Sequence, residues 1–330
     1  MIVAVAVADP SQVAEARRMA AGFARRHGMA EQSVDRLSLV VTELATNLVK
    51  HGGGGHVLAA AFDDQDGSGI ELLALDGGAG MADVERCIAD GYSTAGSPGN
   101  GLGAIVRQSD HVRIYSRPGR GTVLSARFVM QKSGPPSQMR VGAALAPYPG
   151  ELVSGDNWAI GEAQDSRILL AVDGSGHGVE AARAADTAVR VFQDHVNDPC
   201  ERLAERLHRA LTPTRGAAIA IARVDPAARL VRYVGIGNIN GVLAADGTTR
   251  HMISYNGTAG HLAPRIREMT YPFAATPTVI LHSDGLTPRW DLAAYPGLAA
   301  QHPSLIAGVL LRDFRRGRDD ALVVAMQLML

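Results

Sequence analysis

The chain has 330 residues, 46% of them hydrophobic, with 32 Lys and Arg against 33 Asp and Glu for a formal net charge of −1. That length favours two domains, and the balanced charge removes a global basic field for DNA or RNA. No stretch is long and apolar enough to span a bilayer, and Cys87 and Cys200, far apart and without metal-type spacing, fit a reducing cytoplasm without disulfides.

Residues Ile2–Ala8 read as a strand, and Asp9-Pro10-Ser11 as a helix start with proline in the first turn. That helix runs to about Arg26, where His27-Gly28 stops it. A second helix is expected from Glu31 to about Lys50, because Val34, Leu37, Val41, Leu44 and Leu48 recur at helical spacing, and Gly52–Gly55 end it. Strands at Val57–Phe62 and Ile70–Leu75 flank the turn-rich Asp63–Gly69. A short helix (Val84–Ala89), a loop rich in Gly and Ser (Gly91–Gly103), a helix opening near Leu102 and strands at Val112–Ser116 and Thr122–Phe128 complete the first half.

The stretch Gln131-Lys-Ser-Gly-Pro-Pro-Ser137 reads as a short linker stiffened by Pro135-Pro136. The domain boundaries expected are therefore 1–130, a linker at 131–138, and 139–330. Strands at Arg140–Pro147, Asn157–Gly161 and Arg167–Val172 precede two consecutive helices, Gly178–Val196 and Pro199–Leu211. Strands follow at Ala217–Val224, Leu230–Ile236, Asn240–Ala244 and Thr278–Leu281, then a helix at Pro303–Phe314 and a terminal strand at Ala321–Leu330. Strands, a helical pair and more strands describe stacked antiparallel sheets flanked by helices.

Two groups of polar residues carry chemistry. In the first, Glu43, Asn47 and Lys50 fall on one face of the expected second helix. An amide oxygen can ligate a hard cation, an ammonium can meet a phosphate, and a carboxylate can take a hydroxyl proton. These three alone also describe an exposed amphipathic face. Asp76-Gly-Gly-Ala-Gly80 follows an apolar strand, where a carboxylate can accept the exocyclic amine of adenine. Gly99-Asn-Gly-Leu-Gly103 leads into a helix, whose N-terminal amides can hold phosphate. In the second group Asp156, Asp173, Asp284 and Asp319 each sit at the edge of an expected strand. One such aspartate is an ordinary turn residue. Four are better explained by two hard cations about 4 Å apart that activate a water and clamp a phosphate.

The order Glu43-x-x-x-Asn47-x-x-Lys50, Asp76-x-Gly78-x-Gly80, Gly99–Gly103, Gly121-Thr122 resembles the motifs of the Bergerat-fold ATPases. Asp90-Gly-Tyr-Ser-Thr94 makes the stretch most similar to the small anti-sigma-factor serine kinases, of the RsbT type more than the RsbW type. The resemblance covers about residues 1–130. It implies ATP as the phosphate donor, Asn47 as the Mg2+ ligand, Glu43 as general base, Asp76 as the adenine reader and Lys50 as a phosphate contact. It further implies that Gly78, Gly80, Gly99, Gly101 and Gly103 shape the pocket, with Thr122 near Asp76.

Residues 139–330 resemble the PPM serine/threonine phosphatases, especially the SpoIIE/RsbX group. Val172-Asp-Gly-Ser-Gly-His-Gly178, Thr214-Arg-Gly-Ala-Ala218, Gly235-Ile-Gly-Asn238, Ser283-Asp-Gly285 and Arg318-Asp-Asp320 carry this resemblance. It implies Asp156, Asp173, Gly174, Asp284 and Asp319 as ligands of Mg2+ or Mn2+. Ala321 stands where a hydroxyl residue is frequent, and no clear equivalent of the phosphate-binding arginine of eukaryotic members is visible.

The expected fold is an α/β two-layer arrangement, an N-terminal Bergerat-type ATPase sandwich followed by a PPM-type α-β-β-α phosphatase domain. The implied function is a bacterial partner-switching regulator that phosphorylates and dephosphorylates a serine or threonine on a STAS-domain protein. That partner is an anti-anti-sigma factor or stressosome-type scaffold acting on a downstream sigma-factor regulator, with no role for nucleic acid or membrane. The alternative is a sequestering module in which one half is catalytically degenerate.

Overall fold

The computed structural model describes residues 2–88, 101–132, 139–163, 166–245 and 247–329. The backbone divides into two compact units, the first formed by residues 1–137 and 295–313, the second by residues 138–294 and 314–330. The expected linker falls largely on residues 133–138, outside the described residues.

The first unit opens with β1 (Ile2–Val7), α1 (Pro10–Arg26) and α2 (Glu31–Asn47). Asp9 caps α1 by accepting the Ser11 amide at 2.9 Å, and the Gln12 side-chain oxygen accepts the Asp9 amide at 3.0 Å. Strands β2 (Gly55–Asp64) and β3 (Gly67–Asp76), helices α3 (Val84–Ile88) and α4 (Gly101–Gln108), and strands β4 (His111–Ser116) and β5 (Thr122–Gln131) follow. The strands form one antiparallel sheet in the order β1-β2-β3-β5-β4.

Side chains alternate across a strand, so β3 turns Ile70, Leu72 and Ala74 to one face. There they pack with Leu37, Val41 and Leu44 of α2 and Ala16, Ala20 and Phe23 of α1. The opposite face, carrying Leu73, Leu75 and Val123, is buried too. Helix Pro303–Phe314 covers it: a Cβ on Gly308 would lie 2.7 Å from Val123 and 2.9 Å from Leu75. Every residue of that helix from Pro303 to Leu311 is buried, as an all-round apolar helix requires. Within this face Arg127, fully buried, ion-pairs with Asp64 at 2.9 Å, Asp66 at 2.8 Å and Glu71 at 3.1 Å. Ser304 from the covering helix donates to Glu71 at 2.9 Å.

In the first unit the end of the second helix differs from expectation. Helix α2 ends at Asn47, and Leu48–Gly52 forms a wider turn of π type. Its longer hydrogen-bonded period breaks the helical spacing after Asn47, and Lys50 is exposed on the π turn.

The second unit contains β6 (Met139–Ala146), β7 (Asp156–Ala163), β8 (Ser166–Gly174), α5 (Val179–Asp194), α6 (Cys200–Ala210), β9 (Ala217–Asp225), β10 (Leu230–Ile236) and β11 (Asn240–Ala245). It continues through β12 (Thr248–Met252), β13 (Ser254–Tyr255), β14 (Met269–Pro272), β15 (Thr278–His282) and β16 (Ala321–Leu328). One sheet runs β13-β10-β9-β8-β7 with β14 also on β10, and the other runs β12-β11-β15-β16-β6. Ala184, Ala188 and Phe192 of α5 and Leu203 and Leu207 of α6 pack onto Ile168, Leu170, Ile219 and Ile221 of the first sheet.

Candidate functional sites

In the first unit, Asp76 ends β3 opposite Thr122, the first residue of β5. One Asp76 oxygen accepts the Gly78 amide at 2.9 Å and the Thr122 amide at 3.2 Å. Burial raises the Asp76 carboxyl above its ordinary range, against the pull of these two amides. Gly78 is pressed against the His51 carbonyl and Gly80 against that of Arg117, leaving no room for a Cβ at either position. The Thr122 hydroxyl lies 2.9 Å from that of Ser116.

Glu43 and Asn47 sit one helical turn apart on α2, and α4 begins directly over them. A Cβ on Gly101 would lie 2.9 Å from Glu43 Oε2 and 3.7 Å from Asn47 Oδ1. Gly103, two residues further along α4, is buried. The chain thus brings Glu43, Asn47 and the N-terminus of α4 together, and separately pairs Asp76 with Gly78 and Thr122. Gly99 and the segment Asp90–Thr94 lie outside the described residues. Sequence reasoning missed Arg312, whose Nη1 donates to the Asp76 backbone carbonyl at 3.4 Å. At a sequence separation of 236, no local spacing signals that approach.

In the second unit the four aspartates stand at strand ends. Asp156 opens β7 directly across from Asp173 on β8, Asp284 follows β15, and Asp319 precedes β16. Asp173, Asp284 and Asp319 line one open cleft of about 480 Å3, and Asp156 is buried behind Asp173. Burial, and then Asp173, drives the Asp156 carboxyl well above its usual range. Asp173 is pushed up to about 8 by burial and then by Asp284, Asp319 and Asp320. Asp156 Oδ2 accepts from the Ser283 hydroxyl at 2.6 Å, but its Oδ1 is buried with no hydrogen-bond partner. An orphaned carboxylate oxygen among like charges fits a divalent cation. Gly174 is clamped between the Ala181 carbonyl and Gly155, whose carbonyl accepts its amide at 3.0 Å.

Three supporting residues were not singled out from sequence as part of the ligand set. Asp320 is buried and holds two loops, accepting the Tyr148 amide at 2.8 Å and the Gly155 amide at 2.9 Å. Ser283 fixes Asp156 while its own oxygen accepts the Leu322 amide at 2.9 Å. Asn238 donates to Asp284 at 2.7 Å. Their signal was adjacency: Ser283 and Asp320 neighbour the expected ligands, and Asn238 closes a recognised motif. His282 is buried, bonded to the Ser283 carbonyl and to Trp290, and pushed down to about 4 by burial. His177 stacks on Tyr148 with centroids 4.1 Å apart and meets Glu151 at 3.0 Å.

A second acidic group, Asp64, Asp66 and His302, gathers its ligand atoms within 4.8 Å of one another in the first unit. Arg127 already supplies the cation there.

Fold and sites together define a protein that joins a kinase-like ATPase to a metal-type phosphatase. Residues 6–128 match the histidine kinase-like ATPase domain family, and residues 164–328, half of the chain, match the stage II sporulation protein E (SpoIIE) family. The chain belongs to the SpoIIE family and carries the ATPase domain fused to its N-terminal side. Over 114 residues it is 29% identical to the serine/threonine-protein kinase RsbT of Bacillus subtilis, covering 34% of this chain and 86% of that one. Over 124 residues it is 26% identical to the anti-sigma F factor of Clostridium acetobutylicum, covering 36% of this chain and 82% of that one.

Among solved structures, one from a study of the bacterial stressosome as a modular system adapted to control secondary messenger signalling superposes with a TM-score of 0.53 at 26% identity. It covers 57% of this chain and 98% of its own. RsbX in complex with magnesium superposes with a TM-score of 0.51 at 19% identity, covering 58% of this chain and 95% of its own, which is a likeness of fold. Among the described residues no helix is long and apolar enough to cross a membrane.

Proposed function

We propose that the chain is a bifunctional regulator that phosphorylates a serine or threonine of a STAS-domain protein from ATP and also removes that phosphate. The observation that carries this reading is the presence of two intact polar constellations in one chain. Glu43 and Asn47 lie under the N-terminus of α4, and an orphaned buried Asp156 oxygen lies behind a cleft of carboxylates. The names of the relatives, a serine/threonine kinase and an anti-sigma factor, support a partner in sigma-factor control, and the stressosome likeness supports a STAS-domain scaffold.

In the kinase direction, the second oxygen of Asp76 would accept the exocyclic amine of adenine. Asn47 Oδ1 would ligate Mg2+, and Lys50 would reach a phosphate. The amides opening α4 would face the phosphates. Glu43 would take the proton of the acceptor hydroxyl as its oxygen bonds to the γ-phosphorus and the bond to the β-phosphate oxygen breaks, releasing ADP. Catalysis of this kind is positioning and charge neutralisation.

In the phosphatase direction, Asp156, Asp173, Asp284, Asp319 and the Gly174 carbonyl would hold Mg2+ or Mn2+. When bound, the pair of cations supplies a water of lowered pKa and charge for the phosphoryl oxygens. Ser283 orients Asp156, Asn238 orients Asp284, and Asp320 fixes the surrounding loops. The water oxygen would bond to phosphorus as the ester bond to the serine or threonine oxygen breaks, a proton of the water would pass to that oxygen to give the free hydroxyl, and inorganic phosphate would leave.

Asn47→Ala tests the first half: Mg·ATP binding by calorimetry should be lost while Mn2+-dependent hydrolysis of p-nitrophenyl phosphate persists. Asp173→Asn should do the reverse. Undiminished ATP binding by Asn47→Ala, or undiminished hydrolysis by Asp173→Asn, contradicts the corresponding assignment.

A further inference from the structure

Among the described residues the carboxylate cleft proposed to hold metal is lined by no cationic side chain. Beside Asp173, Asp284 and Asp319 it is lined by Ser175, Asn238, Asn256 and Thr258. Two divalent cations set against four carboxylates leave no net charge to attract a phosphomonoester dianion. A cation stands just outside. Gly176 lines both this cleft and the adjoining hollow that contains Arg215, and Arg215 Nη1 lies 3.3 Å from where a Gly176 Cβ would be. Gly176 has φ +87 and so needs to be glycine, which keeps the approach of the guanidinium open.

The turn that presents Arg215 is tied down on both sides. The Ser175 amide donates to the Gly216 carbonyl at 3.0 Å, the Gly216 amide to the Thr214 hydroxyl at 3.0 Å, and that hydroxyl to the Leu211 carbonyl at 2.6 Å. Arg215 itself is exposed and has no ion-pair partner among the described residues. The nearby acids are occupied, Glu151 by His177 at 3.0 Å and Glu180 by Arg183 at 3.5 Å. A planar guanidinium with unused donors, held at the mouth of a metal cleft, matches the geometry of a phosphate.

We propose that Arg215 binds the phosphoryl group of the substrate at the mouth of the metal cleft, beside Gly176. The proposal rests on the phosphatase reading above, and two separate readouts keep the two apart. The full chain and its Arg215→Ala, Arg215→Lys and Arg209→Ala forms are loaded with Mg2+ and titrated with inorganic phosphate in a calorimeter. Their Mn2+-dependent hydrolysis of p-nitrophenyl phosphate is measured alongside.

Arg215→Ala should weaken phosphate binding by roughly 10- to 100-fold, the loss expected for a charge-assisted contact, and raise KM more than it lowers kcat. Arg215→Lys should fall between, Arg209→Ala, which removes an exposed helix charge, should match wild type, and metal affinity should be the same in all four. Equal phosphate affinity in wild type and Arg215→Ala overturns the proposal. So does an equal loss in Arg209→Ala, or no phosphate binding by loaded wild type. Phosphate held through Arg215 without hydrolysis would instead overturn the phosphatase reading and leave the Arg215 site standing.

Discussion

On the proposed reading, Asp156 and Asp173 favour metal at the expense of the metal-free state. Asp173, raised to about 8 by burial and by its carboxylate neighbours, keeps a proton in the folded chain that the unfolded chain gives up near its ordinary pKa of about 4. The folded state therefore binds more protons in that window, and metal-free stability should fall as pH rises from about 4 to 8. Stabilisation by Mn2+ should grow over the same interval. Thermal melts of wild type and Asp173→Asn in EDTA and in Mn2+ at several pH values check this: the metal-free melting temperature of wild type should fall relative to that of Asp173→Asn between pH 5 and 8, and a difference that stays constant would contradict it. Asp156→Asn removes a buried carboxyl whose ionised form is disfavoured by burial and by Asp173, and leaves an oxygen to accept the Ser283 hydroxyl. It should raise the metal-free melting temperature at pH 8 by roughly 2–4 °C, as about 1 kcal/mol does in a unit of this size, and abolish the Mn2+-induced increment. In the first unit Gly101→Ala would drive a methyl to 2.9 Å from Glu43 Oε2. ATP turnover should fall with little change in melting temperature.

At the scale of elements, the covered face of β3 and β5 holds the densest charge network in the first unit. Burial alone would raise Asp64 and Glu71. The His302 imidazole and Arg127 hold Asp64 well below the usual carboxylate range, and Arg127 with His302 does the same for Glu71. Burial lowers His302 itself. Folded pKa values below the unfolded ones make this stability complete at neutral pH. It is eroded as pH falls through about 6.5, where an unfolded histidine gains its proton, and more steeply through about 4. Melting should therefore shift down on the acid side, and Arg127→Ala, which strands two buried carboxylates, should cost about 3–5 kcal/mol. A melt of Arg127→Ala within 1–2 °C of wild type would contradict that estimate.

Most helices and strands were legible to within a few residues because their apolar periods are clean, as in α2 and β10. The π turn at Leu48–Gly52 was not, because it forms where the helix end closes on Asp76: a Cβ on Gly52 would lie 2.7 Å from Asp76 Cβ. Strands β12 and β14 are short and polar, with Thr248–Arg250 and Thr270 exposed, so they lack the alternation that marks a half-buried strand. The aspartates were legible because each follows or precedes an apolar strand, while the distant partners Arg312 and Ser304 left no spacing to read.

For the molecule as a whole, the sequence boundary near residue 131 and the compact units differ. Residues 295–313, inside the stretch that matches the SpoIIE family, complete the first unit. An all-round apolar helix such as Pro303–Phe314 reveals that it is buried and not which sheet it covers. A fragment of residues 2–132 should therefore melt without cooperativity, its Leu73, Leu75 and Val123 exposed, and the same fragment joined to residues 295–314 by a Gly/Ser linker should regain a sigmoidal transition. A cooperative melt of the short fragment alone would count against this assignment.

The central claim, that one chain drives opposite phosphoryl reactions on a STAS-domain protein, is tested most directly by intact-mass analysis. A panel of STAS-domain proteins is incubated with Mg·ATP and Mn2+ and either Asp173→Asn or Asn47→Ala full-length protein. Asp173→Asn should accumulate a singly phosphorylated partner, and Asn47→Ala, added to that purified product, should return it to its original mass. If Asp173→Asn phosphorylates no member of the panel, or if Asn47→Ala leaves the phosphorylated product intact, the account of a two-way switch is contradicted.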